Sequence, residues 1–100
     1  MKNTITLILI FYSTILLSQS GKITGLVTDG EYDEPMAFAN VIVKGSTIGT
    51  TSDFDGKYSL DLEPGKYTLT FSFIGYQTIE VSEVLIKSDE VEQIDVTLST

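Results

Sequence analysis

The chain has 100 residues, and its 14 acidic residues outnumber 6 lysines to give a formal charge of −8. It contains no histidine, cysteine, arginine or tryptophan. This excludes Ser-His-Asp and Cys-His catalysis, zinc sites built from histidine or cysteine, and disulfides. The acidic balance argues against nucleic acid and anionic membranes as partners, because both attract basic surfaces. We therefore expect a non-enzymatic binding or accessory module without a cofactor.

The first twenty residues have the three parts of a secretory signal peptide. Lys2 supplies a basic start, residues 5–17 are largely apolar, and small or polar residues follow from Ser18 to Gly21. A membrane-spanning helix is a poorer interpretation, because the apolar stretch would reach only roughly 20 Å across a core of about 30 Å. We expect cleavage after Ser18 or Ser20, which leaves one exported domain over residues 21–100; an uncleaved anchor and a buried core segment are the alternatives.

Most of the remaining chain alternates apolar and polar residues with a period of two. This alternation predicts strands with one face in a core and the other in water at residues 58–62, 67–73 and 94–98. Residues 23–28 and 39–44 are richer in apolar residues on both faces, as expected for more central strands. Residues 77–81 and 84–86 are shorter candidates.

Turn-forming residues separate these predicted strands. Asp29-Gly30 follows the first strand, and Asp55-Gly56 precedes the strand at residues 58–62. Proline favours the second position of a turn, and glycine tolerates the positive φ that can follow it, so Pro64-Gly65 predicts a tight turn. Short strands separated by such turns indicate an all-β sandwich.

The order and spacing of five segments resemble the carboxypeptidase regulatory-like domain family. The resemblance covers essentially the whole chain after the signal peptide and implies a seven-stranded transthyretin-like (prealbumin-like) β-sandwich of Greek-key type. The segments that carry it are residues 21–27 (GKITGLV), 34–41 (EPMAFANV), 49–60 (GTTSDFDGKYSL), 62–69 (LEPGKYTL) and 73–76 (FIGY).

With a signal peptide in front, the domain is similar to the N-terminal periplasmic extension of TonB-dependent outer-membrane receptors. The resemblance implies a non-enzymatic accessory domain of a nutrient-uptake receptor, in the periplasm or at the periplasmic face of the outer membrane. Its edge strands and loops would contact a protein partner or the rest of the receptor. The alternatives are a free-standing exported or secreted module that binds protein or carbohydrate, and a structural spacer.

Two aspartates form a candidate cation site. Asp53 and Asp55 lie in the DFDG sequence at residues 53–56, and hard cations prefer carboxylate oxygens. With Gly56 at the central glycine position of an EF-hand loop, the first and last positions would hold threonine and leucine instead of acidic residues. The alternative is a tight turn in which aspartate side chains accept hydrogen bonds from nearby backbone N–H groups.

A second group of carboxylates surrounds Tyr32 and consists of Glu31, Asp33 and Glu34. These residues form either a contact loop for a partner or a solvated hairpin loop. Paired carboxylates can support glycosidase chemistry. We expect little concave volume for a substrate in a sandwich of this size, and no residue is predicted to be catalytic.

The aromatic residues divide into two groups by their position along the predicted strands. The first group shares the inward parity of its strands and is predicted to lie in the core: Tyr58, Tyr67, Phe71 and Phe73. The second group lies at turns or strand ends and forms the candidate interaction surface: Tyr32, Phe38, Phe54 and Tyr76.

Overall fold

The computed structural model describes residues 20–100, which form nine strands in two sheets and no helix. No helix that could cross a membrane is found among them. The predicted signal peptide lies outside the described residues apart from Ser20. The strands are β1 (Gly21–Asp29), β2 (Glu34–Pro35), β3 (Asn40–Val43), β4 (Gly49–Thr51), β5 (Lys57–Leu62), β6 (Gly65–Ser72), β7 (Ile79–Ile86), β8 (Val91–Gln93) and β9 (Val96–Leu98).

Strand β1 is the centre of the first, five-stranded sheet. On one side it pairs antiparallel with β5, from the Gly21–Leu62 pair to the Leu26–Lys57 pair, and then with β2. On the other side it pairs parallel with β8 and β9. Strand β1, the first of the domain, therefore pairs with the last two strands. The first sheet is complete only when the N-terminal and C-terminal strands of the domain are both in place.

The second sheet is antiparallel and has the strand order β4-β3-β6-β7. Its register shifts between Tyr67 and Leu69, where Thr68 of β6 faces both Ser82 and Glu83 of β7. Glu83 adopts a positive φ of 58° at this bulge. An extra residue of this kind increases the local twist and interrupts the alternation of side chains.

The core lies between the two sheets and contains inward residues of six of the nine strands and of the connection at residues 36–39. The rings of Tyr58 on β5 and Phe71 on β6 meet edge to face across the interface, with centroids 5.5 Å apart. Such aromatic pairs add to the stabilisation that comes from buried area. The other buried apolar side chains are Ile23, Val27, Met36, Ala39, Val41, Val43, Leu62, Leu69, Val84, Ile86, Val96 and Leu98.

These features confirm the predicted all-β architecture, but the described residues hold nine strands where seven were predicted. The two candidates at residues 77–81 and 84–86 are one strand, β7, continued through the bulge. Strands β2, β4 and β8 were not predicted, because their residues are mostly exposed and show no apolar alternation.

The predicted strand at residues 94–98 is shorter than expected because β8 and β9 are separated where β1 passes Gly25. A Cβ atom at Gly25 would overlap the carbonyl oxygen of Ile94, so only glycine permits this close approach. The backbone N–H of Leu26 donates to Asp95 Oδ1 at 2.9 Å. A side-chain acceptor thus replaces a ladder hydrogen bond between the two short strands.

Two of the four aromatics predicted for the core are only partly buried. Tyr67 lies next to the bulge, packs against the border of the core and donates its hydroxyl to the Glu63 carbonyl at 2.7 Å. Phe73 follows the end of β6 and also packs against this border. The prediction treated residues 67–73 as one regular strand, whereas β6 ends at Ser72 and Tyr67 lies opposite the point where the bulge of β7 interrupts the pairing.

Replacing Phe71 by alanine should lower the free energy of unfolding by about 3–5 kcal/mol, because its fully buried ring would leave a cavity between the sheets. Ile74→Ala is the matched control, since Ile74 is 94% exposed and should change stability by no more than about 0.5 kcal/mol. Urea unfolding measures both values. Equal losses in the two variants would mean that the two sheets do not pack through Phe71.

Candidate functional site

Four connections meet at one end of the sandwich, which we call the tip: residues 30–33 with the flanking strand residues Asp29 and Glu34, and residues 36–39, 52–56 and 73–78. The tip lies where β1, β4 and β6 end and where β3, β5 and β7 begin. Two of its connections cross between the sheets, from β2 to β3 and from β4 to β5. The topology therefore gathers all four predicted surface aromatics at this end, although they are far apart in sequence.

Ser52 joins the two crossing connections. Its side chain is 1% exposed, accepts a hydrogen bond from the Ala39 N–H at 2.9 Å, and donates one to the Met36 carbonyl at 2.6 Å. Its backbone also accepts from the Phe38 N–H at 2.9 Å and donates to the Ala39 carbonyl at 3.0 Å. Four hydrogen bonds thus hold residues 36–39 against the start of the β4–β5 connection.

This arrangement fixes an exposed aromatic pair. The rings of Phe38 and Phe54 meet edge to face, with centroids 5.1 Å apart and an interplanar angle of 75°, yet they remain 55% and 80% exposed. Phe38 has a φ of 64°, a left-handed conformation that a bulky side chain adopts only at a cost of order 1–3 kcal/mol. The hydrogen bonds through Ser52 hold the backbone in this conformation.

The candidate cation ligands lie in the same connection. Asp53 Oδ1 accepts hydrogen bonds from the backbone N–H groups of Asp55 and Lys57, each at 2.9 Å. These are the bonds that the tight-turn alternative requires. Asp55 is exposed, and within residues 20–100 no group of three or more acidic side chains is arranged to hold a metal ion.

Tyr76 differs from the other predicted surface aromatics because it is partly buried. Its ring meets Phe73 edge to face at 5.8 Å, and its hydroxyl donates to Asp29 Oδ2 at 2.8 Å. Asp29 Oδ1 accepts from the Glu31 N–H. Tyr76 therefore anchors the β6–β7 connection to the end of β1, whereas Tyr32 is exposed.

The hydrogen bond to Asp29, followed by partial burial and nearby negative charge, raises the pKa of Tyr76 from 10.0 to about 12. Since the folded-state pKa lies above the unfolded value, the stabilisation is complete below pH 10 and is lost as the pH rises towards 12.

Tyr76→Phe should therefore lose less stability than the unmodified protein between pH 10 and about pH 12. Tyr58 titrates in both proteins and does not affect the comparison. Thermal unfolding across this range measures the difference. Parallel pH profiles would contradict the role assigned to the Asp29 hydrogen bond.

An open groove of about 710 Å³ runs beside β1 and β5, so the expectation of little concave volume in a sandwich of this size was wrong. It forms because β4 and β5 lie side by side at the edge of the sandwich, a relation that no local pattern shows. Most of its lining residues have polar side chains, although apolar atoms form the larger part of the lining surface: the polar residues are Thr24, Thr50, Thr51, Asp53, Lys57, Ser59, Gln93 and Asp95.

The groove offers hydrogen bonds more readily than proton transfer. Each of its two carboxylates, Asp53 and Asp95, already accepts backbone hydrogen bonds through Oδ1. Tyr58 donates its hydroxyl to the Ile94 carbonyl at 2.6 Å. Burial, together with the charge of Asp95, raises the pKa of Tyr58 well above its ordinary value, so its phenol stays protonated.

Comparison with known protein families matches residues 23–100 to the CarboxypepD_reg-like domain. The chain belongs to this family. It is 46% identical over 82 residues to the TonB-dependent receptor P39 of Formosa agariphila, a match that covers 82% of this chain and 7% of that receptor. It is 40% identical over 85 residues to the TonB-dependent receptor SusC of Bacteroides thetaiotaomicron, covering 80% of this chain and 8% of the receptor. The resemblance predicted from the sequence is confirmed, and the matched region is a small part of each receptor.

Solved structures share the fold at low sequence identity. A cohesin–X-dockerin complex from Acetivibrio cellulolyticus aligns with a TM-score of 0.66 and 16% identity, over 78% of this chain and 56% of the other. The 5-hydroxyisourate hydrolase of Klebsiella pneumoniae aligns with a TM-score of 0.52 and 12% identity, over 79% and 90% of the two chains. Likeness to this transthyretin-like neighbour supports the predicted fold class and concerns the fold alone.

Proposed function

We propose that this chain is the N-terminal accessory domain of a TonB-dependent outer-membrane receptor that takes up nutrients. The observation that carries the proposal is the similarity of nearly the whole domain to such receptors, at up to 46% identity in the relatives described above. The chain spans only 7–8% of the length of those relatives. The match is therefore to a domain within a much larger protein, and the domain would act by contact with the rest of that protein or with a partner.

The start of β1 is suited to a domain that follows a removable signal peptide. Strand β1 begins at Gly21, directly after the predicted leader. The Ser20 carbonyl accepts a hydrogen bond from the Asp89 N–H at 3.2 Å, whereas Gly21 is buried. Cleavage after Ser20 would remove this acceptor and place a charged amine on a buried residue, which is costly. We therefore favour cleavage after Ser18 over cleavage after Ser20.

A role without catalysis agrees with the chemistry of the chain. The full sequence lacks histidine, cysteine and arginine, and the carboxylates of the groove are tied to backbone N–H groups. General acid–base catalysis needs a group whose pKa lies near the working pH, whereas the phenol of Tyr58 is shifted away from it. Contact surfaces are then the means by which the domain would act.

The proposed location is the periplasmic face of the outer membrane. A signal peptide would deliver the chain across the inner membrane, and a domain at the N-terminus of an outer-membrane receptor would remain in the periplasm. The acidic surface keeps the domain soluble there. Its partners would be the rest of the receptor or a periplasmic protein.

The proposal predicts that an antibody against residues 21–100 detects a receptor-sized protein in the outer-membrane fraction of the native bacterium. The epitope should become accessible to protease only after the outer membrane is permeabilised. Mass analysis of the N-terminal peptide should place the mature start at Gln19.

Leu9→Asp is a useful companion variant, because a charge in the apolar stretch should keep the protein in the cytoplasm. A small secreted product, or an epitope open to protease in intact cells, would contradict the proposed receptor domain. A product that still begins at Met1 would contradict the signal peptide.

A further inference from the structure

The charge of the described domain is concentrated at the tip. Residues 29–39, 52–56 and 73–78 contain no lysine, whereas the connections at the opposite end contain Lys44 and Lys87 beside three acidic residues. Fields of one sign attract partners of the other sign and increase the rate of encounter. The carboxylates of the tip are Asp29, Glu31, Asp33, Glu34, Asp53 and Asp55.

The same end carries an exposed apolar surface. Phe54 follows β4, Phe38 precedes β3 and Ile74 follows β6, and these three strands are neighbours in the second sheet. Adjacent strands are about 4.8 Å apart, so the three connections leave the sheet within about 10 Å of one another. All three side chains are exposed. Phe38 and Phe54 touch, and Ile74 leaves the same end of the sheet. Exposed apolar side chains gathered at one charged end are typical of a protein interaction site.

We propose that the tip binds a basic polypeptide segment with an apolar anchor. Lysine or arginine side chains of the segment would face the carboxylates, and its apolar side chain would pack against Phe38, Phe54 and Ile74. The proposal names the partner chemistry of the accessory domain and rests on the proposed function for its setting.

The negative charge of the tip favours a basic polypeptide over a second copy of the domain, a lipid, a nucleic acid or a saccharide. A second copy of the domain would bring the same negative tip and be repelled. Anionic lipid and nucleic acid are repelled for the same reason. A neutral saccharide could stack on an aromatic ring but would leave the carboxylates uncompensated. A cationic segment is the occupant that satisfies both the apolar surface and its acidic rim.

The tip is also prepared for binding before a partner arrives. The hydrogen bonds of Ser52 fix the strained backbone of Phe38, and the edge-to-face contact fixes Phe38 and Phe54 relative to each other. A rigid surface loses less conformational entropy on binding than a mobile one. Holding two exposed aromatic rings in place in this way is expected of a surface that binds.

The test is an NMR titration of the nitrogen-labelled full chain with short synthetic peptides. The probe carries a Leu-Trp centre flanked by lysines, and its control carries glutamates in place of the lysines. The lysine peptide should shift amide signals of residues 29–39, 52–56 and 73–78, and added salt should weaken its binding. The glutamate peptide should cause no shift at the tip.

Variants test whether the lysine peptide binds at the tip or elsewhere on the surface. Phe54→Ser should weaken binding of the lysine peptide about tenfold or more, and Asp33→Asn together with Asp55→Asn should reduce the salt dependence. Val91→Ser is the matched control, because Val91 is exposed on β8 at a distance from the tip, and it should bind as the unmodified chain does. Unchanged backbone spectra away from the substitution establish that each variant is folded.

Four outcomes would overturn the inference. These are the absence of binding by the lysine peptide, shifts confined to the groove or the opposite end, equal binding by Phe54→Ser, and tip shifts caused by neutral oligosaccharides but not by the peptide. A negative titration would not change the result of the localisation experiment, so the proposed receptor domain is tested separately. Conversely, a free secreted product that binds the lysine peptide would support the inference and reject the receptor.

Discussion

The hydrogen bonds of Ser52 hold together the part of the fold on which the proposed surface depends. Among residues 20–100, Ser52 is the buried polar residue, and no buried side-chain polar atom there lacks a partner. A buried hydroxyl stabilises only when its bonds are made, and leaving its partners unpaired costs about 1–3 kcal/mol. Separating the two connections that carry Phe38 and Phe54 would break these hydrogen bonds. The bonds therefore hold the tip in one conformation.

The domain combines a packed sandwich of two sheets with a tip whose surface is negatively charged. Strand β1 receives strands from the middle and the end of the chain, so the first sheet closes only when β8 and β9 have docked beside Gly25. The connections that cross between the sheets, from β2 to β3 and from β4 to β5, meet at the tip, where aromatic side chains and carboxylates lie together. The packed sheets stabilise the domain, and the connections at the tip present the aromatic and acidic side chains that are available to bind a partner.

The sequence predicted the features that arise from local patterns. Alternation identified β5, β6 and β9, and the family resemblance gave the sandwich fold. The bulge at Ser82 and Glu83, the close approach of Gly25 to Ile94 and the short strand β8 could not be predicted, because each depends on contacts between distant segments. For the same reason, the sequence predicted which aromatics lie at turns but not that Phe38 and Phe54 touch, nor that Tyr76 is held by Asp29.

The most direct measurement is NMR of the Ser52→Ala variant, with Ser59→Ala on the exposed face of β5 as the control. The account predicts that the Ala39 amide of Ser52→Ala exchanges much faster with solvent and that the proton contacts between the Phe38 and Phe54 rings are lost. The amide of Leu69 in the core should stay protected, and Ser59→Ala should show none of these changes. A protected Ala39 amide with intact ring contacts in Ser52→Ala would show that the tip does not depend on this side chain.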